Sequence, residues 1–248
     1  MKTVFINCSP KKRLSASSWF QALSRLLTGG EKVSEMLRAP ADHERIMAEL
    51  ADADAAVFVL PLYVDGIPSH VLPFLEKLEQ FSRENDLHFR VYAVANNGFI
   101  EGRQNEPLMQ EFGHFCARAG LQWCGGVGIG GGVMLNVTRI LFAVDIALLL
   151  LNMALSIAQG GPLFPKGALW DFVSSALILL YFNLGVLFYL ACLGAAIRRG
   201  RELGKKYTRI LIPSFVFIIF ADIFFIIISI LKGGVFRGWL EKKMPDDL

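Results

Sequence analysis

Short apolar runs alternate with amphipathic stretches through the first 130 residues of the chain. Five runs have the length and composition of buried β-strands, and they lie at residues 3–8, 32–37, 55–60, 89–95 and 121–127. The intervening stretches predict helices over residues 17–27, 42–50, 68–78 and 105–119, with Pro68 in the first turn of the third. Strands and helices that alternate in this way are typical of a parallel sheet covered by helices, so the predicted class is α/β.

The second half of the chain follows a different pattern. Apolar runs at residues 138–158, 173–197 and 209–231 approach or exceed the roughly 20 residues that an α-helix needs to cross about 30 Å of hydrocarbon. The second run is the strongest, because no charged residue lies between Asp171 and Arg198. We therefore predict an α/β domain over residues 1–132. An all-α transmembrane helical region over residues 133–248 follows it, with the lipid bilayer as its partner.

Basic residues predict the orientation of these helices. The apolar run at the N-terminus is too short for a signal peptide, so we expect residues 1–132 in the cytoplasm and a multi-pass protein of the cell membrane. Three crossings then place the second connecting loop inside, where its basic side chains obey the positive-inside rule and are expected to meet lipid headgroups rather than nucleic acid. These side chains are Arg198, Arg199, Arg201, Lys205, Lys206 and Arg209.

The basic tail and two acids within the apolar runs leave alternatives open for the membrane topology and for the role of the helices. The same topology sends a basic tail outside, and an interfacial or re-entrant third segment would return it to the cytoplasm. The tail residues are Lys232, Arg237, Lys242 and Lys243. Asp145 and Asp222 interrupt the first and third apolar runs, where an acid serves either an ion path or hydrogen bonds between helices. A further alternative makes the whole second half a buried, soluble helical domain.

The spacing of cysteines and histidines argues against a metal site. Hydrophobic residues make up 54% of the chain, and the mean hydropathy is +0.46. The cysteines at positions 8, 116, 124 and 192 lack paired C-x-x-C spacing, which argues against an iron–sulfur cluster or a zinc site. The four histidines show no metal-ligand spacing either, so no metal is predicted.

The loop after the first strand has the composition of an anion site. It carries hydroxyl groups and a basic side chain directly before a helix, and a helix N-terminus attracts a phosphate group. The candidate residues are Ser9, Lys11, Ser15, Ser17 and Ser18. A serine-rich helix cap with solvated lysines gives the same pattern, and this alternative stays open.

Turns after the third and fourth strands, at residues 61–68 and 96–102, belong to the same edge of the predicted sheet. Ligands of open α/β sheets bind at the carboxyl edge, beside the point where the strand order reverses. The first turn reads PLYVDGIP and the second NNGFIEG, so both bring apolar and aromatic side chains to that edge.

These three loops, in this order, resemble those of the flavodoxin-like NAD(P)H-dependent FMN reductases, including the clostridial-type relatives of the iron–sulfur flavoproteins. The resemblance covers about residues 1–132 and implies a five-stranded parallel sheet of order 2-1-3-4-5. It also implies FMN, with the phosphate in the first loop and the ring between the other two. The implied ring contacts are Pro61, Leu62, Tyr63, Val64, Gly66, Asn97, Gly98 and Phe99. The cysteine cluster of the iron–sulfur relatives is missing, and the apolar half departs from the soluble members.

The expected function is a membrane-anchored FMN-dependent NAD(P)H oxidoreductase that passes electrons to a small or quinone-like acceptor. No catalytic residue is named, because in a flavin enzyme the cofactor carries the redox chemistry. A homodimer is expected from the resemblance alone. The alternative is a non-enzymatic membrane protein with a flavodoxin-like ligand-sensing domain. Residues 126–131 match G-x-G-x-x-G, but they follow the last strand rather than the first, so we expect a flexible hinge there instead of a dinucleotide site.

Overall fold

The computed structural model describes residues 1–11, 15–164, 167–231 and 233–234. Within these residues the centre of the fold is a six-stranded parallel sheet of order β2-β1-β3-β4-β5-β6. The strands are β1 (Lys2–Asn7), β2 (Glu31–Met36), β3 (Ala55–Pro61), β4 (Arg90–Asn96), β5 (Gln122–Ile129) and β6 (Gly204–Tyr207). The first five have the order of flavodoxin-like folds, so the predicted fold class is confirmed, and each lies within two residues of its predicted position.

Four helices connect these strands: α1 (Ala16–Leu27), α2 (His43–Leu50), α3 (Leu72–Glu84) and α4 (Glu106–Ala119). Helix α1 covers one face of the sheet, and α2, α3 and α4 cover the other. The predicted start of the third helix at Pro68 is wrong, because α3 begins at Leu72 and has Pro73 in its first turn. A helix from residue 68 would place Pro73 where its missing N–H and its ring disrupt the turn before it.

Apolar side chains fill the layer between the sheet and α2, α3 and α4. Phe58 on β3 lies 5.1 Å from Phe112 on α4 and 6.4 Å from Phe74 on α3, measured between ring centroids. All three rings are fully buried. Strand β3 lies near the middle of the sheet and is buried at every position except its last, which explains its unbroken apolar run.

Strand β6 was not predicted from the sequence. It comes from the basic loop at residues 198–209 and pairs with β5 as an edge strand. Lys205 forms an ion pair with Glu106, and Arg209 forms one with Glu101. Arg198 donates from Nη1 to Leu27 O at 3.4 Å. These three members of the basic run therefore contact the α/β domain rather than facing outward to headgroups as expected.

Three further helices are long and apolar enough to cross a membrane, among the residues that the structure describes. They are α5 (Gly132–Ala158), α6 (Ala168–Arg199) and α7 (Ser214–Leu231). Large apolar side chains of α5 and α6 are exposed from Leu141 to Phe188. The predicted apolar helices are thus confirmed as helices, although α5 begins six residues earlier than the predicted run and α7 five residues later.

The C-terminal part of α6 belongs to the core of the α/β domain. Val186, Leu190, Leu193 and Ile197 are at most 2% exposed, and this part of the helix packs beside α1 on the sheet. Gly194 allows the close approach, because a Cβ there would lie 2.3 Å from Leu27 O. The predicted span 173–197 therefore includes residues that are covered by protein.

The expected glycine hinge at residues 126–131 is wrong. Gly126 and Gly128 lie inside β5 and are buried, and a Cβ on Gly128 would meet the ring of Tyr207 at 2.6 Å. Gly130 N donates to Thr208 Oγ1 at 3.1 Å. These glycines serve close contacts between neighbouring strands rather than flexibility.

The chain forms two compact units, Met1–Ile210 and Leu211–Leu248. The first contains the sheet and helices α1 to α6, and the second contains α7. The predicted boundary at residue 132 stays a prediction, and the first unit extends beyond it. Of the predicted tail charges, Lys232, Arg237, Lys242 and Lys243 lie outside the described residues.

Candidate functional site

The carboxyl ends of β1, β3 and β4 bring the three predicted loops to one edge of the sheet. The strand order reverses beside β1, and open α/β sheets bind ligands in the crevice at such a switch point. Cys8 N donates to Val59 O at 2.8 Å, and Leu62 N donates to Asn96 O at 2.8 Å, so each loop begins in contact with its neighbour. The candidate residues therefore share one edge, and their binding of a cofactor stays a prediction.

The start of α1 presents backbone N–H groups to this edge. Ser15 is the N-cap, and its Oγ accepts from Ser18 N at 3.1 Å. The first four N–H groups of a helix lack partners within the helix. The cap satisfies the N–H of Ser18, and the amides of Ala16 and Ser17 remain without a partner inside the helix. Amides at the positive end of a helix dipole form a site for a phosphate group.

Two of the predicted hydroxyl groups hold the loop in place. Asn96 Nδ2 donates to Ser17 Oγ at 3.0 Å, and Asn7 Nδ2 donates to Ser18 Oγ at 3.0 Å. Ser17, Asn7 and Asn96 are all buried. These serines are therefore engaged by asparagines of β1 and β4, and they fix the position of the helix start relative to the strands.

Ser9 and Lys11 lie in the loop before α1. Ser9 is buried, its N donates to Asn7 Oδ1 at 2.9 Å, and its Oγ accepts from Lys11 N at 3.4 Å. Lys11 has an exposed side chain that can turn toward an anion on the helix start. Residues 12–14 of this predicted site lie outside the described residues.

A two-residue turn follows β3. Tyr63 and Gly66 pair across it, and Val64 and Asp65 have φ angles of 48° and 57°, which is the pattern of a type I′ turn. Tyr63 is 41% exposed, and Val64 is fully exposed. Pro61 ends the strand, and Leu62 is partly buried behind the turn. Apolar and aromatic side chains therefore project from this loop, as the sequence predicts.

The strained turn gives a testable prediction. A β-branched residue is disfavoured at positive φ, whereas asparagine tolerates it. Val64→Asn should therefore stabilise the protein by about 1 kcal/mol, which is the lower end of the strain stored at such a position. Thermal unfolding of the full chain in detergent measures this. Val64→Thr keeps the branched side chain and serves as the control, and an equal gain in that variant would contradict the strain argument.

Glu111 on α4 anchors the same turn and was not predicted. Its Oε2 accepts from Ile67 N at 3.0 Å, and a Cβ on Gly66 would lie 3.0 Å from its Oε1. Glu111 also lines an open cleft of about 390 Å³ beside Tyr63, and among the described residues neither the first loop nor Gly98 and Phe99 lines this cleft. Burial raises the pKa of Tyr63, so its phenol stays protonated at neutral pH.

The loop after β4 is held by the side chain of Asn97. Its Oδ1 accepts from Phe99 N at 3.0 Å, and its Nδ2 donates to Glu101 O at 3.1 Å. Gly98 is exposed, and Phe99 is exposed over 57% of its surface. A Cβ on Gly98 would approach only Val133 within 4 Å, so a planar ligand can come close to the backbone here.

The first turn of α5 is part of this edge, and the sequence did not indicate it. Gly132 N donates to Asn97 O at 2.7 Å, and Gly131 N donates to Phe99 O at 2.5 Å. A Cβ on Gly132 would lie 2.8 Å from Asn96 Oδ1, so glycine permits the contact. The long apolar helix α5 thus starts in direct contact with the loop after β4.

The segment after α6 supports the same loop from its other side. Gly102 N donates to Thr208 O at 2.7 Å, and Ile210 N donates to Ile100 O at 3.0 Å. Nearby, Glu106 accepts from Lys205 Nζ at 2.5 Å and from the hydroxyl group of Tyr207. These hydrogen bonds lower the pKa of Glu106 to about 2. The loop after β4 is therefore fixed by segments on both sides of α6.

Acid should weaken the attachment of β6. The pKa of Glu106 is lowered on folding, so its contribution to stability is present above about 4.5 and is lost as the pH falls toward about 2. Glu106→Gln should destabilise the folded chain by about 1–2 kcal/mol at neutral pH, and the loss should disappear in acid. Thermal unfolding at several pH values measures this effect. Glu44→Gln removes an exposed acid on α2 and is the control; equal effects of both variants would contradict the assignment.

The cysteine beside the first loop is a poor nucleophile. Cys8 is completely buried, and burial raises the pKa of its thiol. All four cysteines are unpaired. Among the described residues, no cluster of three or more His, Cys, Asp or Glu side chains is placed to hold a metal ion.

Comparison with known proteins gives structural matches only. No protein-family model matches the chain, and no curated protein matches it. The Trp repressor binding protein from Bacillus subtilis has 19% sequence identity and a TM-score of 0.42, over 52% of this chain and 84% of that chain. A WrbA-like flavodoxin from Agrobacterium tumefaciens has 17% identity and a TM-score of 0.41, over 49% of this chain and 75% of that chain. An NADPH-quinone reductase from P. pentosaceus has 16% identity and a TM-score of 0.43, over 53% of this chain and 86% of that chain. The flavodoxin-like assignment therefore stands on the strand order of this chain itself.

Proposed function

We propose that this protein is a membrane-anchored, FMN-dependent NAD(P)H oxidoreductase that passes electrons to a small or quinone-like acceptor. The observation that carries the proposal is the convergence of the three loops at the carboxyl edge of a flavodoxin-like sheet, beside its switch point. One loop offers amides and a lysine to a phosphate. The other two offer exposed aromatic side chains and a glycine to a flat ring.

The residues at this edge have the chemistry that FMN binding requires. The amides of Ala16 and Ser17, together with Lys11, would hold the phosphate, while Ser9, Ser15 and Ser18 keep the loop in position. The ring would lie between the turn at Tyr63 and the loop at Gly98 and Phe99. The buried asparagines behind these loops keep the two walls at a fixed separation.

A bound FMN would supply the redox chemistry, because it would take a hydride from the nicotinamide and pass the electrons to the acceptor. The chain contributes position and electrostatics. The backbone at Gly98 is open to a close approach, and an N–H group there would stabilise negative charge on a bound ring. Tyr63 and Phe99, which are exposed at this edge, would exclude water from a bound ring.

Membrane attachment is the second part of the proposal. Helices α5, α6 and α7 have the length and composition of membrane spans. We assign the α/β domain to the cytoplasm and the chain to the cell membrane as a multi-pass protein. The basic segment around Arg198 and Arg199 is then cytoplasmic, in line with the positive-inside rule. A homodimer remains part of this proposal.

The cofactor assignment is tested by comparing FMN with riboflavin, which lacks the phosphate. The full chain in detergent should bind FMN more tightly, and Lys11→Gln should weaken FMN binding about tenfold while leaving riboflavin binding unchanged, since one lost charge-assisted contact is worth about 1.4 kcal/mol. Lys77→Gln removes an exposed lysine on α3 and should change neither affinity. Equal affinities for the two flavins would contradict the phosphate site.

A further inference from the structure

We propose that the carboxyl edge of the sheet rests on the bilayer surface, so that the site takes a hydrophobic electron acceptor directly from the lipid phase. The inference rests on the proposed function for the identity of the reaction. Its geometric part, contact between this edge and lipid, depends only on α5 and α6 crossing the membrane. Both helices belong to the same compact unit as the sheet.

Both helices leave the domain at the edge that carries the candidate site. Helix α5 begins there, because Gly132 N donates to Asn97 O at 2.7 Å. Helix α6 reaches the same level at Gly185, where a Cβ would lie 3.9 Å from Thr208 Cβ. Thr208 N in turn donates to Gly128 O near the end of β5. The parts of α5 and α6 that extend beyond the sheet therefore project from its carboxyl edge.

The opposite end of α6 marks the other edge of the sheet. Gly194 contacts the last turn of α1, and Gly200 contacts Arg90 at the start of β4. From Gly185 to Gly200 the helix runs about 22 Å along the sheet, at 1.5 Å per residue. Arg198 and Arg199, at the end of α6, are thus separated from the candidate site by about the length of the strands, whereas Arg209 lies beside the loop after β4.

Little room remains between the site and the lipid. The first exposed large apolar side chain well inside α5 is Leu141, which is about 14 Å along the helix from Gly132. The headgroup layer of one leaflet occupies about 5–7 Å of that distance. On α6 the exposed apolar surface continues past the edge to Phe188, which is 64% exposed. A thick layer of water does not fit between this edge and the headgroups.

The rim of the site has the side chains that a membrane surface favours. Tyr63, Val64, Phe99 and Val133 are exposed there, and aromatic residues are enriched at the level of lipid headgroups. Charged groups near them include Lys11, Asp65, Glu111, the ion pair between Glu101 and Arg209, and Arg139, which lies over the Trp19 ring at 5.3 Å. An apolar rim with a few charges is suited to contact with headgroups and upper acyl chains.

The position of the site at the bilayer surface indicates which class of electron acceptor it takes. A molecule dissolved in the bilayer reaches a ring between Tyr63 and Phe99 without crossing water, whereas a protein partner would have to displace the membrane. The acceptor is therefore a small redox-active head on an apolar tail. With FMN bound, the hydride of the nicotinamide would supply two electrons and one proton equivalent and water would supply the second proton, so the nicotinamide would be oxidised as the acceptor head is reduced.

The contact with lipid is tested by fluorescence quenching in the full chain. A fluorophore is attached to Val64→Cys in a Cys192→Ser background, because the other three cysteines are buried. The flavin-free protein is placed in vesicles with and without lipids that carry a nitroxide on the headgroup. The matched control is Leu26→Cys, which is 77% exposed in the last turn of α1, at the far edge of the sheet.

Strong quenching at position 64 and none at position 26 is the expected result. Equal quenching at both positions, or none at position 64, would overturn the proposed contact whether or not the protein binds flavin. In the same vesicles, FMN-loaded protein should reduce a long-tailed acceptor several-fold faster than a tailless acceptor with the same head. Faster reduction of the tailless molecule would reject the lipid route while leaving the oxidoreductase proposal standing.

Discussion

A chain that ends after Gly131 will not form a stable flavodoxin-like domain, although it contains the five strands and four helices of the predicted fold. Truncation removes the C-terminal part of α6 and strand β6, which cover α1 and the edge of the sheet. Val186, Leu190, Leu193 and Ile197 are buried in the folded chain. Each such side chain contributes about 1.5–3 kcal/mol, so the loss is of the order of 10 kcal/mol, comparable to the whole stability of a domain.

The control for this truncation is a chain that ends after Ile210, which keeps the first compact unit. In detergent it should unfold in one cooperative thermal transition, whereas the chain of residues 1–131 should be found in aggregates or should lack such a transition. Circular dichroism and size-exclusion chromatography measure both properties. A soluble, cooperatively folded 1–131 fragment would show that α6 is an attachment and not a part of the core.

The second large effect is expected at Gly194. A Cβ at this position would lie 2.3 Å from the carbonyl oxygen of Leu27, and a backbone atom cannot easily move away. Gly194→Ala should therefore force α6 away from α1 and destabilise the chain by about 1–3 kcal/mol or more, the range found for overpacked cores. The melting temperature should fall by about 2–4 °C for each kcal/mol lost.

Gly185 on the same helix provides the matched substitution. A Cβ there would meet only Thr208 Cβ, at 3.9 Å, which is an ordinary van der Waals distance. Gly185→Ala should therefore be neutral or should gain up to about 1 kcal/mol from helix propensity. Equal destabilisation by the two alanines would mean that the close contact between α6 and α1 does not hold the unit together.

The sheet could be predicted because its strands are buried. A continuous apolar run such as that of β3 is difficult to place outside a core, and its length distinguishes it from a helix. Strand β6 could not be predicted in this way, because Gly204, Lys205, Lys206 and Tyr207 have no apolar period. Its position depends on edge pairing with β5 and on the contacts of Glu106, which involve residues distant in sequence.

The double role of α6 was also hidden in the sequence. Leu190 and Leu193 have the same hydropathy whether they face lipid or protein, so the apolar run predicts a span throughout its length. The structure distinguishes the two surroundings, because these side chains are buried while Leu177 and Leu184 are exposed. Only a tertiary contact, here with α1, separates a domain helix from a membrane span.

The candidate site was partly accessible from the sequence. The three loops follow the strands as expected, because loop composition and strand order are local properties. The hydrogen bonds of Ser17 and Ser18 with asparagines, the anchor at Glu111 and the contact of Gly132 with Asn96 were not predictable. They depend on which side chains the fold brings together. Binding of FMN at these residues stays a prediction.

An anaerobic titration of the FMN-loaded full chain in lipid vesicles, with NADH or NADPH, tests the central claim most directly. The account predicts that the visible absorbance of the flavin is lost on addition of one of the nucleotides and returns when a quinone-type acceptor is added to the lipid. A chain that retains no FMN, or whose bound flavin neither nucleotide reduces, would contradict the oxidoreductase function and favour a ligand-sensing membrane protein.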